Sequence, residues 1–163
     1  MSCKSKIVGS IDEMAEIVEH LKSQDQTVVM TNGCFDLLHV GHIRCLHGAK
    51  DAGDVLVVAV NSDSSVRSYK GPSLPINPED ERLEVLAALE CVDYVFLFSD
   101  PTVDNVLLRL RPHCHAKGSD YTEETVPERQ TVLSYGGRVI ITGDPKNHAT
   151  RDLIAKSRGI SAQ

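Results

Sequence analysis

Three features of this 163-residue chain predict an α/β fold, a doubly wound five-stranded parallel sheet. Apolar runs without alternation, such as Asp54-Val55-Leu56-Val57-Val58-Ala59-Val60, look like strands buried on both faces, and parallel sheets bury both faces. Segments with helical spacing alternate with these runs, which indicates βαβ units. Five strands fill the length, and no linker or internal repeat divides it, so a single domain is expected over 1–163. Right-handed crossovers make the sheet doubly wound, with an expected strand order of 3-2-1-4-5.

Ser10-Ile11-Asp12-Glu13 is a capping box, and Met14, Ile17, Val18 and Leu21 follow at helical spacing. Residues 10–26 thus form a lead-in helix and polar link to a core over 27–157. The first strand is expected over 27–31. A helix over 41–52 stops at Gly53, and the buried run 54–60 forms the second strand. Asn61-Ser62-Asp63 closes that strand, where ligands of open α/β sheets bind. Residues 64–76, with Arg67, Lys70, Gly71, Pro72 and Pro75, are expected as a mobile basic loop. Asn77 is placed as an N-cap and Pro78 as the first residue of a helix reaching Cys91. Glu79, Asp80 and Glu81 suit its dipole, and Leu83, Val85, Leu86, Leu89 and Val92 supply its apolar face. The third strand follows over 93–98. Ser99-Asp100-Pro101 opens a helix that Pro112 stops. A weaker strand over 113–117 carries His113 and His115, taken as structural. A helix over 127–135, a fifth strand over 138–142 and a last helix capped by Thr150 complete the chain.

Composition excludes several functions. Hydrophobic residues make up 41%, too many for a disordered chain. The net charge of −6 argues against a nucleic-acid polymer as main partner. No apolar run approaches the roughly 20 residues of a membrane span. Met1-Ser2-Cys3-Lys4 lacks an apolar signal core, so a cytoplasmic setting is expected. The five cysteines, Cys3, Cys34, Cys45, Cys91 and Cys114, are odd in number and form no C-x-x-C pair, which suits thiols in a reducing compartment. Cys34 has no partner beyond the neighbouring histidines to make it a nucleophile.

The chemistry concentrates in Thr31-Asn32-Gly33-Cys34-Phe35-Asp36-Leu37-Leu38-His39-Val40-Gly41-His42. Here a strand hands over to a helix, and a helix N-terminus directs N–H groups and positive dipole at a ligand. His39 and His42, three apart, lie on one side of the helix start. A metal site would need further ligands, and Asp36 is the one acidic candidate nearby. A nucleophile–base pair would need an orienting carboxylate. A phosphate site needs donors and room for close approach, which Gly33 and Gly41 supply, and charge developing at phosphorus is stabilised by such donors without a protein nucleophile. The phosphate reading is preferred over metal, nucleophile or incidental histidines. Neither G-x-x-x-x-G-K-[ST] nor G-x-G-x-x-G follows the first strand, so a P-loop NTPase or dinucleotide dehydrogenase is not expected.

His39-Val40-Gly41-His42 resembles the H-x-G-H signature of nucleotidyltransferases, which are similar in fold to class I aminoacyl-tRNA synthetases. The longer run from Thr31 resembles the cytidylyltransferase-like branch. Ala59-Val60-Asn61-Ser62-Asp63, Lys70-Gly71, Pro75-Ile76-Asn77-Pro78 leading to Glu81-Arg82, and Lys117-Gly118-Ser119-Asp120-Tyr121 follow in the order of the heptose 1-phosphate adenylyltransferases, the C-terminal half of bifunctional ADP-heptose synthases. The resemblance covers about 27–155 and implies a Rossmann-like domain that moves AMP from ATP to D-glycero-β-D-manno-heptose 1-phosphate. It implies catalytic roles for His39, His42, Lys70 and Arg82, the last binding phosphate oxygens. Thr31, Asn32, Gly33, Phe35, Gly41, Lys117, Gly118, Asp120 and Thr150 would face the nucleotide. Asn61 would bind the acceptor, and Asp36 and Asp63 would bind its hydroxyls or orient the loop. Mg²⁺ would be carried by the nucleotide phosphates with no protein ligand set, and a homodimer is implied. Cytidylyltransferases for glycerol 3-phosphate or a phospho-amino-alcohol, FAD synthetase-like enzymes and an idle nucleotide-binding module are the alternatives. One departure stands out: the family's Ser-Thr-Thr run before the last helix is His148-Ala149-Thr150 here.

Overall fold

The computed structural model describes residues 3–144 and Ile154. Its five strands are β1 (Val28–Gly33), β2 (Val55–Asn61), β3 (Tyr94–Phe98), β4 (Cys114–Gly118) and β5 (Arg138–Thr142). All pair in parallel, in the order β3-β2-β1-β4-β5. This is the predicted sheet. The winding reverses between β1 and β4, and a crevice opens at the C-terminal strand ends at such a switch point. All seven residues of β2 are buried, because helices cover both faces.

Alternate residues feed two cores. Met30, Val57, Ala59 and Phe96 pack on one face with α2 (Ile11–Ser23) and α6 (Asp104–Leu110). Val29, Leu56, Val58 and Val60 pack on the other, against α3 (Val40–Lys50) and α5 (Glu79–Ala87). The lead-in helix is capped as expected: Ser10 Oγ accepts from Glu13 N at 3.2 Å, while the Glu13 carboxylate accepts from Gly9 N at 3.1 Å. Ahead of it, α1 (Cys3–Lys6) leads into Ile7, which bridges Val95 on the outer side of β3.

Several local expectations are corrected. β1 runs two residues further than predicted, through Asn32 and Gly33, which pair with Ala59 and Val60. Residues 63–70 form a helix, α4 (Asp63–Lys70), and not a loop. Ser62 caps it by accepting from Ser65 N at 3.2 Å, and Gly71 ends it at φ +95°. Its apolar content is so low that hydrophobic periodicity could not reveal it; Val66 is its one buried apolar side chain. The N-cap of α5 is Pro78, because Asn77 turns its amide onto the Asp36 carbonyl at 2.9 Å. That helix ends at Ala87, short of Cys91, and Val85 is exposed rather than part of its apolar face. α6 begins at Asp104, later than Ser99-Asp100-Pro101 suggested, and closes on Arg111 in the left-handed region. The shorter α7 (Arg129–Ser134) precedes β5. Thr150 and, apart from Ile154, the last helix lie outside the described residues.

Candidate active site

The chain leaves β1 through Cys34 and turns at Phe35, whose φ is +48°. The ring folds back over Gly33, where a Cβ would lie 3.1 Å from a ring carbon. This close approach explains the glycine. His39 occupies the N-cap position of α3 and His42 its first turn. Their rings stack with centroids 3.9 Å apart and planes at 25°. Phe35 packs on the other side of His42 at 5.5 Å. The two imidazoles therefore stand together at the positive end of a helix dipole.

The loop holding them is stitched to a segment some forty residues downstream. The Asp36 carboxylate accepts from Ile76 N at 2.9 Å and Asn77 N at 2.8 Å. Arg82 donates from Nε to Asn77 O at 3.1 Å, from Nη1 to Cys34 O at 2.6 Å and from Nη2 to Asp63 Oδ1 at 2.8 Å. Its side chain has no exposed surface. The resemblance implies phosphate contact for Arg82; in this structure its guanidinium is a buried brace beneath the loop. Asp36 likewise orients the loop, since its carboxylate is occupied by backbone N–H groups and not open to a sugar. Asp63 accepts from Arg82 and, at 3.4 Å, from Arg67. Asn61 donates to Ser65 Oγ at 3.1 Å. Lys70 is exposed at the end of α4, with its ammonium 5.7 Å from the Tyr69 ring centroid. Burial pushes the Cys34 thiol up, which keeps it protonated and unsuited to nucleophilic attack.

Across the switch point, Thr31 Oγ1 donates to Ala116 O at 2.9 Å. Lys117 Nζ donates to Asn32 Oδ1 at 3.0 Å and to Glu128 Oε1 at 3.2 Å. Behind them His115, fully buried, sets Nε2 3.8 Å from Glu128 Oε2. Asp120 is exposed, and nothing lies within 4 Å of a Cβ built on Gly118. A cleft of about 300 Å³ opens beside this network, lined by Asn32, Asn61, Tyr69, Phe98, Tyr121, Glu128 and residues 101–103. Sequence reasoning missed Glu128. It sits at the start of the helix expected over 127–135 and in no motif, and only the fold pairs it with Lys117.

Residues 30–158, from inside β1 to beyond β5, match the family profile described as cytidylyltransferase-like. The chain belongs to the cytidylyltransferase-like family. Among relatives, bifunctional protein HldE of Geobacter sulfurreducens is 45% identical over 149 residues, which are 91% of this chain and 30% of that protein. Bifunctional protein HldE of Pseudomonas fluorescens is 40% identical over 151 residues, 93% of this chain and 32% of that protein. The chain spans about a third of the length of these relatives. A lipopolysaccharide core biosynthesis protein from Thermoplasma volcanium superposes with a TM-score of 0.65 at 28% identity, over 74% of this chain and 99% of that one. A pantoate–β-alanine ligase from Francisella tularensis shares the fold, with a TM-score of 0.63 at 18% identity, over 93% of this chain and 76% of that one.

The cytidylyltransferase-like domain carries its buried charges in a way that makes stability depend on pH. Burial lowers the basicity of His115, so it is neutral in the folded chain. The unfolded chain takes up that proton below the usual 6.5, and stability falls as pH drops through that value. Burial pushes the Glu128 carboxyl up, but its contact with His115 and the Lys117 ammonium outweigh this and hold it at about 2, against a usual 4.5. The stabilisation from Glu128 is present above 4.5 and is lost as pH falls toward 2. The melting temperature is expected to decline from about pH 7 to pH 5, and again below about pH 4.5, with the first decline flattened in His115→Gln. Identical pH profiles for wild type and variant would remove His115 from this account.

Proposed function

We propose that this nucleotidyltransferase moves AMP from ATP to D-glycero-β-D-manno-heptose 1-phosphate, giving ADP-heptose and pyrophosphate. The observation that carries the reading is the stacked His39–His42 pair at the start of α3, beside the switch-point crevice. A phosphate oxygen of the acceptor attacks the α-phosphorus of ATP, and the bond from that phosphorus to the bridging oxygen of pyrophosphate breaks. His39 and His42 stabilise the charge that develops on the α-phosphate oxygens. The exposed Lys70 places a compact positive charge on the leaving pyrophosphate. Thr31, Asn32, Gly33, Phe35 and Gly41 shape the floor under the nucleotide, with Lys117, Gly118 and Asp120 toward its base. Arg82 and Asp36 act through the loop they hold.

Among the described residues no group of three or more His, Cys, Asp or Glu side chains could hold a metal ion. A Mg²⁺ carried in by the nucleotide phosphates would neutralise phosphate charge. No helix among the described residues is long and apolar enough to cross a membrane. The choice of acceptor is supported by the relatives named bifunctional protein HldE and by the relative titled as a lipopolysaccharide core biosynthesis protein.

Pyrophosphate release tests the proposal. With ATP and CTP offered against heptose 1-phosphate, glycerol 3-phosphate and a phospho-amino-alcohol, turnover is expected with ATP and the heptose phosphate. Turnover with CTP alone would overturn the ADP-heptose assignment. Nucleotide binding without pyrophosphate from any acceptor would make the chain a binding module.

A further inference from the structure

We infer that the cleft on the far side of the β1 crest is the pocket for the sugar of the acceptor, and that Glu128 is the carboxylate that reads its hydroxyls. The inference rests on the proposed sugar-phosphate reading and deepens it.

The strand pleat divides the labour. Asn32 continues the face of Val28 and Met30, Asn61 that of Val57 and Ala59, and Phe98 that of Phe96, all on the α2–α6 side. The helix bearing His42 packs on the opposite face, with Val29 and Val58. The phosphate-directed histidines and the cleft thus lie on either side of one strand end.

The cleft has the chemistry of a polyol site. Its lining carries two carboxamides, two tyrosines and one carboxylate, and no lysine or arginine. That set suits neutral hydroxyls and repels a phosphate, which leaves the acceptor's phosphate directed toward the histidines and Lys70. A volume of about 300 Å³ is at the small end of the roughly 300–1,000 Å³ of ligand pockets, a monosaccharide's size.

Glu128 is the decisive group. The residue is 8% exposed. One oxygen accepts from Lys117 at 3.2 Å, while Oε2 is buried with no hydrogen-bond partner and has His115 Nε2 at 3.8 Å. Lys117 and His115 do not use up the carboxylate, because an ionised carboxylate has about four lone-pair sites and Glu128 lines the cleft. A sugar hydroxyl entering the cleft would donate to one of the sites that remain. Lys117, itself anchored on Asn32, holds the carboxylate in place.

The test uses the full chain. Glu128→Gln is expected to raise the acceptor KM by about ten- to a hundredfold, the loss of a hydrogen bond to a charged group. Affinity for a non-hydrolysable ATP analogue is expected to fall much less than acceptor affinity in this variant, which also loosens Lys117, and to stay within about twofold of wild type in Thr102→Trp. Across monodeoxy sugar 1-phosphates, one analogue should reproduce that loss in wild type and show no further loss in Glu128→Gln, a coupling that a merely structural carboxylate would not give. Thr102→Trp, at an exposed position on the rim, fills the cleft without touching the buried network and should block the acceptor while ATP-analogue binding survives. Unchanged acceptor KM in both variants would overturn the assignment, and so would an equal loss of nucleotide affinity. If wild type releases no pyrophosphate with any sugar 1-phosphate, the proposed function has failed. If it turns over and the variants are indifferent, the pocket alone has failed.

Discussion

Replacing His42 by alanine is expected to lower kcat by about a thousandfold or more while the chain stays folded. One preorganised donor facing developing charge is worth about 10²–10³ in rate. His42 also holds the His39 ring in place through their 3.9 Å stack, so its loss removes one donor and loosens the second. The fold tolerates the change because His42 lies outside the core that Leu46 and Ala49 form on the same helix. Alanine is also the better helix former, by up to about 0.7 kcal/mol. His39→Ala should resemble it, and the double variant should be little worse than either, because groups acting as a unit are not additive. Pyrophosphate release at saturating substrates, beside a circular-dichroism melt, checks this. Wild-type rates in His42→Ala would end the two-histidine mechanism.

Arg82→Ala is expected to destabilise the chain by about 3–5 kcal/mol, the cost of removing one partner from a buried ion pair. Its guanidinium satisfies the Asn77 and Cys34 carbonyls and the Asp63 carboxylate at once, in three directions. Lysine offers a single point charge, so Arg82→Lys should recover little of the loss. Urea unfolding monitored by far-UV signal reads the stability, and kcat falls as well because Cys34 lies on the signature loop. Full stability with a lost kcat would return Arg82 to direct phosphate contact.

The sheet was legible because its strands are short, continuous apolar runs between helical segments, and the buried seven of β2 are the strongest of these. The His39–His42 pair was legible because a three-residue spacing at a helix start has one geometric consequence. α4 was hidden because a solvated helix anchored by Val66 leaves no periodic trace. Arg82 is placed in the right neighbourhood, but its bracing contacts are not legible in the sequence. Its carbonyl at Cys34 is 48 positions away, and no local rule couples such a pair. Glu128 was invisible for the same reason: its meaning comes from Lys117 and His115 on an adjacent strand.

The stitch between residues 34–36 and 76–82 has a consequence for how this chain fails under stress. Ile76 is 52% exposed, and Pro72 and Ser73 are also exposed, so this segment owes little to either core. Parts of a fold with few buried apolar contacts open at lower free energy than the whole. When residues 71–78 swing away, Asp36 loses both backbone donors and the Asn77 amide leaves the Asp36 carbonyl, while Arg82 on α5 and the five paired strands stay in place. Such a molecule would go catalytically silent by partial opening, well before its sheet comes apart.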